Sequence, residues 1–177
     1  MNDALVIIPQ GFEEIEAVCS INLMRRAGLD VKIAALTYPV QVTGRSRIEM
    51  MADGSLDDYI RQDFGAIVLI GGPGYPDYRL HESLREKLRA HKGILAAICA
   101  APIALFDAGL LEGKRYTCHE CVRNELKEAL NESVVVDGNL ITAEGAGCAF
   151  EFGLKLVEIL ADKAAAEELA GACGYRR

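Results

Sequence analysis

Of the six cysteines in the 177-residue sequence, Cys99 has the surroundings best suited to chemistry. Residues 94–98, Ile-Leu-Ala-Ala-Ile, form an unbroken apolar run with the length of a buried strand. The apolar stretch 100–108 that follows predicts a helix. The thiol thus falls on a strand-to-helix corner. Ala97 and Ala101 stand two residues to either side, the small-neighbour pattern of a nucleophile elbow with alanines in place of glycines. A thiol there points outward and meets the unpaired N–H groups of a helix start, which favour thiolate over thiol. The competing reading is a small buried cysteine between two core elements, because free cysteine packs like a small hydrophobe.

A nucleophile needs partners. Glu13, Glu14 and Glu16 crowd the first turn of a helix predicted over 13–27. For Glu13 and Glu14 the preferred reading is favourable charge at a helix N-terminus. Glu16 is the candidate for a carboxyl turned toward Cys99, where a dry cleft would raise its pKa and let it pass a proton near neutrality. Periodicity alone leaves open which of the three faces inward. Gly71-Gly72 ends an apolar run and is either a simple turn or a place where backbone approaches a ligand. In the second case the N–H groups of Gly72 and Ala100 could form an oxyanion hole. His81 and His91 fall in or beside a predicted surface helix, whereas His119 follows a predicted strand and is the histidine placed to assist a thiol. Cys118-His-Glu-Cys121 has zinc or redox spacing without a second ligand pair, so neither a metal nor a cofactor is expected.

The elements that must position these residues follow from apolar runs and punctuation. Ala4 to Ile8 predicts a buried strand, broken by Pro9-Gln-Gly11. The helix over 13–27 carries Ile15, Val18, Cys19, Leu23 and Ala27 on one face and stops at Gly28. A second strand covers 31–36, and two short strands within 40–51 turn at Thr43-Gly44. Ser55 caps a short helix with Asp58 three residues on. A strand over 66–70 and a helix over 83–90 lead to the Cys99 corner. Beyond it come a strand over 115–118, a helix over 121–130, a hairpin of 134–136 with 140–142 around Asp137-Gly138-Asn139, and helices over 146–160 and 164–170. This alternation predicts a single α/β domain over 1–177, a doubly wound sandwich with a mostly parallel sheet and a small β-hairpin excursion. Sites in such folds gather at the carboxyl ends of strands, which brings residues 11–16, Gly71-Gly72, Cys99 and His119 to one edge.

With 51% hydrophobic and 25% charged residues the chain has the composition of an ordinary globular protein. A net charge of −7 with no basic block argues against nucleic acid as a partner. The first residues lack a basic segment and a long apolar run, so a cytoplasmic protein without a membrane anchor is expected. Six irregularly spaced cysteines in that setting predict free thiols.

Gly11-Phe-Glu-Glu-Ile-Glu16, Met24-Arg-Arg-Ala-Gly28, Ile70-Gly-Gly72, Ala96-Ala-Ile-Cys-Ala-Ala-Pro102, Thr117-Cys-His119 and Phe150-Glu-Phe152 together resemble the ThiJ/PfpI superfamily, a class I glutamine amidotransferase-like group, and within it the DJ-one branch. The matches span most of the chain in family order. The resemblance implies a flavodoxin-like fold, a homodimer pairing through regions that match Arg26, Arg47 and Met50-Met51, a nucleophilic Cys99, a protonated Glu16 beside it, and His119 nearby. It singles out Glu16 among the three carboxylates. The activity it implies is a cofactor-free, glutathione-independent glyoxalase forming lactate or glycolate from methylglyoxal or glyoxal, or a deglycase hydrolysing the corresponding glycated adducts. The alternative is a redox-sensing or chaperone-type stress protein whose cysteine is oxidised to a sulfinate. Four positions depart from the family pattern. Ala100 stands where the protease-like branch has histidine, which argues against peptidase activity. Ala101 replaces a usual glycine, Asn22 an acidic residue, and Gly145-Ala-Gly147 a Gly-Pro-Gly stretch.

Overall fold

The computed structural model describes residues 3–175. Its main sheet has seven strands in the order β5-β2-β1-β6-β7-β9-β8. Here β1 is Asp3–Ile8, β2 Asp30–Ala35, β5 Gly54–Ser55, β6 Ala66–Leu69, β7 Ile94–Ile98, β8 Val134–Asp137 and β9 Leu140–Ala143. All neighbours are parallel except the β8–β9 hairpin at one edge. The architecture is flavodoxin-like α/β.

The central strands read as continuous apolar runs because both faces are covered. Alternation divides their side chains between two core layers. Val6, Ile8, Val68, Ile70, Ala96 and Ile98 pack with helices α1 (Glu14–Arg26), α5 (Ala149–Leu160) and α6 (Lys163–Ala172). Leu5, Ile7, Ile67, Leu69, Leu95 and Ala97 pack with α2 (Leu56–Tyr59), α3 (Glu82–Ala90) and α4 (Pro102–Asp107). The antiparallel excursion is a separate two-stranded sheet, β3 (Gln41–Thr43) with β4 (Glu49–Met51). Ser55 donates its backbone N–H to the Asp58 carboxylate at 2.8 Å, the predicted cap of α2. Among the described residues no helix is long and apolar enough to cross a membrane.

Three expectations need correction. The strand over 115–118 is reduced to one bridge, Thr117 with Leu130. The helix over 121–130 is a 3-10 turn, Glu120–Val122, followed by irregular turns. Arg123 explains the change: its guanidinium donates to the carbonyl oxygens of Cys118, Ala129 and Leu130, so the segment curls around that side chain in place of a helical ladder. The buried face of α1 is also turned from the one predicted. Ala17, Ser20, Ile21, Leu23 and Met24 are buried, while Ile15 and Val18 stay 59% and 50% exposed. Two elements escaped prediction, the two-residue edge strand β5 and the 3-10 helix Tyr75–Leu80, the latter anchored where the Tyr78 hydroxyl meets the carbonyl oxygens of Ile7 and Ile70 at 2.8 Å each.

Candidate active site

Cys99 follows β7 directly and has φ +65°, left-handed backbone that an L-residue adopts at a cost of roughly 1–2 kcal/mol. Hydrogen bonds on several sides hold it there. Its N–H donates to Ala143 at 2.9 Å, continuing the β7–β9 ladder, and Ala101 N–H closes a turn onto Ile98 at 3.1 Å. The Cys99 carbonyl accepts the N–H of His119 at 2.8 Å. Such a corner turns the side chain off the strand toward the carboxyl edge of the sheet.

The strand beside it, β6, ends in the glycines that make room. A Cβ on Gly71 would lie 2.5 Å from Cys99 Cβ and 2.9 Å from Glu16 Oε2, so both side chains converge on the space that glycine leaves open. Gly72 has φ +107°, and a Cβ there would lie 2.5 Å from the Glu13 nitrogen and the Gly11 oxygen. Glu13 N–H donates to the Gly71 carbonyl at 2.9 Å, which seats the start of α1 against this turn.

Glu16 is fully buried. Its Oε2 accepts the N–H of Gly71 at 2.9 Å, while Oε1 has no nitrogen or oxygen partner. A buried carboxyl with one oxygen satisfied as an acceptor and the other without a partner is well arranged to keep a proton, next to the Cys99 side chain that shares the space over Gly71. Burial pushes its pKa up to about 7, against the lowering effect of its hydrogen bonds to Cys99 and Gly71.

For the thiol, the expected depression does not appear. Burial pushes Cys99 well above its ordinary value and the Glu16 charge pushes it further, while the N–H groups of Gly72 and Ala100 pull the other way. Helix α4 begins only at Pro102 and has six residues, so it supplies little of the positive end on which the expectation rested. The two donors facing the sulfur are the pair the sequence suggested. Cys99 and Glu16 therefore titrate as a unit: a proton on Glu16 removes the repulsion and leaves the two N–H groups working against the cost of burial.

Glu13 and Glu14 do more than decorate a helix end. Both are buried. Glu13 Oε2 pairs with Arg45 Nη1 at 3.0 Å, and Glu14 Oε1 accepts the N–H of Ser46 at 2.6 Å. Burial raises the Glu14 carboxyl, but backbone N–H groups, including those of Ser46 and Ile48, outweigh it and hold the pKa below the usual value. These two side chains tie the loop between β3 and β4 over the site. Arg45 was missed because only the fold brings that loop to α1.

His119 reaches the corner through its backbone. Its ring is exposed, and Nδ1 accepts the N–H of Cys121 at 3.2 Å, which leaves the ring proton of the neutral form on Nε2. Cys118 is buried and its thiol is pushed up to about 11, mainly by burial. Cys121 is exposed, and all six cysteines are free. Among the described residues no group of three or more His, Cys, Asp or Glu side chains could hold a metal ion.

The site is thus a strained cysteine at a strand end with a buried carboxyl from the first helix of a flavodoxin-like sheet beside it. The DJ-1/PfpI family matches residues 2–159, and the chain belongs to that family. Protein dj-1beta of Drosophila melanogaster is 37% identical over 175 residues, covering 94% of each chain. Its crystal structure superposes with a TM-score of 0.94 at 34% identity, over 99% of this chain and 98% of that one. The glutathione-independent glyoxalase DJR-1.2 of Caenorhabditis elegans is 35% identical, covering 89% of this chain and 88% of its own. Deglycase TK1284 of Thermococcus kodakarensis is 27% identical, covering 88% and 98%.

Proposed function

We propose that this protein is a glutathione-independent glyoxalase that converts small dicarbonyls such as methylglyoxal to hydroxy acids, with Cys99 as nucleophile and Glu16 as proton carrier. The observation that carries the reading is the buried Glu16 carboxyl, pushed to about 7 and set against the Cys99 thiol. A group titrating there can both give and take a proton at neutral pH.

The Cys99 thiolate attacks the aldehyde carbon and forms a hemithioacetal. The N–H groups of Gly72 and Ala100 hold the oxygen that gains charge. Glu16 removes the proton from that carbon and returns one to the neighbouring carbon, leaving a thioester of lactate. Water hydrolyses the thioester and frees Cys99. His119, with its ring proton on Nε2, assists proton movement at the rim. Attack on a glycated side chain would use the same thiol and carboxyl, which is how the name of the Thermococcus relative fits this site.

The elbow geometry also accommodates a second reading, in which Cys99 is oxidised to a sulfinate held by the same two N–H groups and the enzyme is a redox sensor. Lactate production separates them. Freshly reduced protein without glutathione is expected to form lactate continuously from methylglyoxal; one equivalent of modified thiol and no turnover would favour the sensor.

The protein acts as a homodimer in this reading. Ile15 and Val18 on α1, with Ile48 and Met51 on the β3–β4 hairpin, are half or more exposed and give a second copy an apolar face to cover. Sedimentation at micromolar concentration should show twice the chain mass, and a monomer alone would refute it. Free thiols throughout suit the reducing cytoplasm as the place of action.

A further inference from the structure

Two thiols unrelated to the Cys99 site lie where the end of the chain returns to the first helix. Cys173 follows α6, and its sulfur accepts a hydrogen bond from Arg26 Nη1 at 3.0 Å. Arg26 and Cys19 are two helical turns apart on α1 and therefore share one face. A long helical side chain leans toward its helix N-terminus, which carries the Arg26 guanidinium, and the sulfur it holds, back along α1 toward Cys19. Both cysteines are partly buried against the same core layer.

Helix α5 packs on the same turn of α1. It crosses α1 at Gly153, where a Cβ would lie 3.5 Å from Ser20 Cα and 3.6 Å from the Cys19 oxygen. One turn earlier on α5, the Phe150 ring stacks on Tyr175 with centroids 4.7 Å apart, and Tyr175 N–H closes onto Ala170 at 2.9 Å. The residues flanking Cys173 are thereby docked on the start of α5, beside the turn of α1 that bears Cys19. Burial raises the Cys19 thiol, and negative charge at Cys173 raises it further, as expected of neighbouring sulfurs.

We propose that Cys19 and Cys173 form a second redox site, a dithiol that a hydroperoxide converts to a disulfide joining α1 to the end of α6. Cys173 attacks the outer oxygen of the hydroperoxide. The O–O bond breaks, the alcohol or water leaves with the thiol proton, and Cys173 becomes a sulfenic acid. Cys19 then attacks that sulfur, the S–O bond breaks, and hydroxide leaves with the Cys19 proton as water. Two thiols are oxidised and one hydroperoxide is reduced. Arg26 orients the first sulfur and offsets the charge that develops on it. None of these steps uses Cys99 or Glu16, so the site stands or falls independently of the glyoxalase reading.

The test uses the full-length chain, as wild type and as Cys99→Ala. Each is fully reduced, treated with stoichiometric hydrogen peroxide, alkylated and digested with trypsin without reductant. The expected product in both is residues 1–25 linked to residues 164–176, lost after dithiothreitol. Arg26→Gln should form it several-fold more slowly. Recovery of Cys19 and Cys173 as separate alkylated peptides, or linked to other cysteines, would overturn the proposal; an unchanged rate in Arg26→Gln would overturn the role given to Arg26.

Discussion

Cys99 and the Cys118–Cys121 stretch carry the same reactive atom, lie against each other through the His119 N–H bond to the Cys99 carbonyl, and yet are built in opposite ways. Around Cys99 the backbone is strained, two glycines are emptied of side chains, and a carboxyl is buried with one oxygen unpartnered. Around Cys118 and Cys121 the backbone is relaxed and irregular, wound about Arg123, with one thiol buried and the other exposed. The second stretch has the spacing of a zinc or redox motif but no second ligand pair. Chemistry, however, depends on a charge-tuning neighbour and fixed donors, and among these cysteines it is Cys99 that has both.

The largest effect should separate the two regions outright. Cys99→Ala is expected to abolish lactate formation, while Cys118→Ser and Cys121→Ser, provided they fold, keep it within a few-fold; steady-state assays of the three variants decide this. A dead Cys121→Ser enzyme would break the comparison.

Stability against pH is the next discriminator. Glu16 has a folded-state pKa raised from 4.5 to about 7. Its protonated form is therefore the one the fold prefers: the carboxyl costs nothing below about pH 4.5, and stability falls as pH rises through 7. The full loss is roughly 3 kcal/mol, from about two and a half pK units. Urea unfolding of wild type against Glu16→Gln between pH 5 and 8 should show this slope in the wild type alone.

Gly72→Ala tests the emptied space. Its Cβ would meet backbone at a positive φ, so a destabilisation on the order of 2 kcal/mol or more is expected, with a displaced N–H donor and a slower enzyme. Thermal denaturation with kcat from the same preparation gives both numbers. The smallest effect belongs to His119→Ala. It should slow turnover without abolishing it, because the ring assists and is not the nucleophile; loss equal to that of Cys99→Ala would make it essential.

Most of the sheet was legible in the sequence because strands buried on both faces are written as unbroken apolar runs, as at Leu5–Ile8 and Leu95–Ile98. The strand end at Cys99 was legible in the apolar run before it, whereas Gly71-Gly72 read equally well as a simple turn. Spacing could not choose Glu16 from its neighbours, since all three carboxylates turned out buried and each has a different partner. The segment after residue 114 was misjudged because a single side chain, Arg123, organises it through carbonyl contacts that leave no periodic trace. The sign of the thiol shift was misjudged because it depends first on how deeply the sulfur itself is buried and then on a carboxylate far away in sequence, neither of which spacing records.

The central claim is that Cys99 and Glu16 share a proton that the enzyme moves during turnover. Iodoacetamide alkylation of Cys99 and lactate production are measured together across pH for wild type and Glu16→Gln. The account predicts that wild-type alkylation inflects near pH 7, where Glu16 titrates, and that Glu16→Gln keeps a reactive thiol but loses turnover by on the order of 10²-fold or more. Turnover by Glu16→Gln at the wild-type rate, or a wild-type thiol titrating as an isolated cysteine, would contradict it.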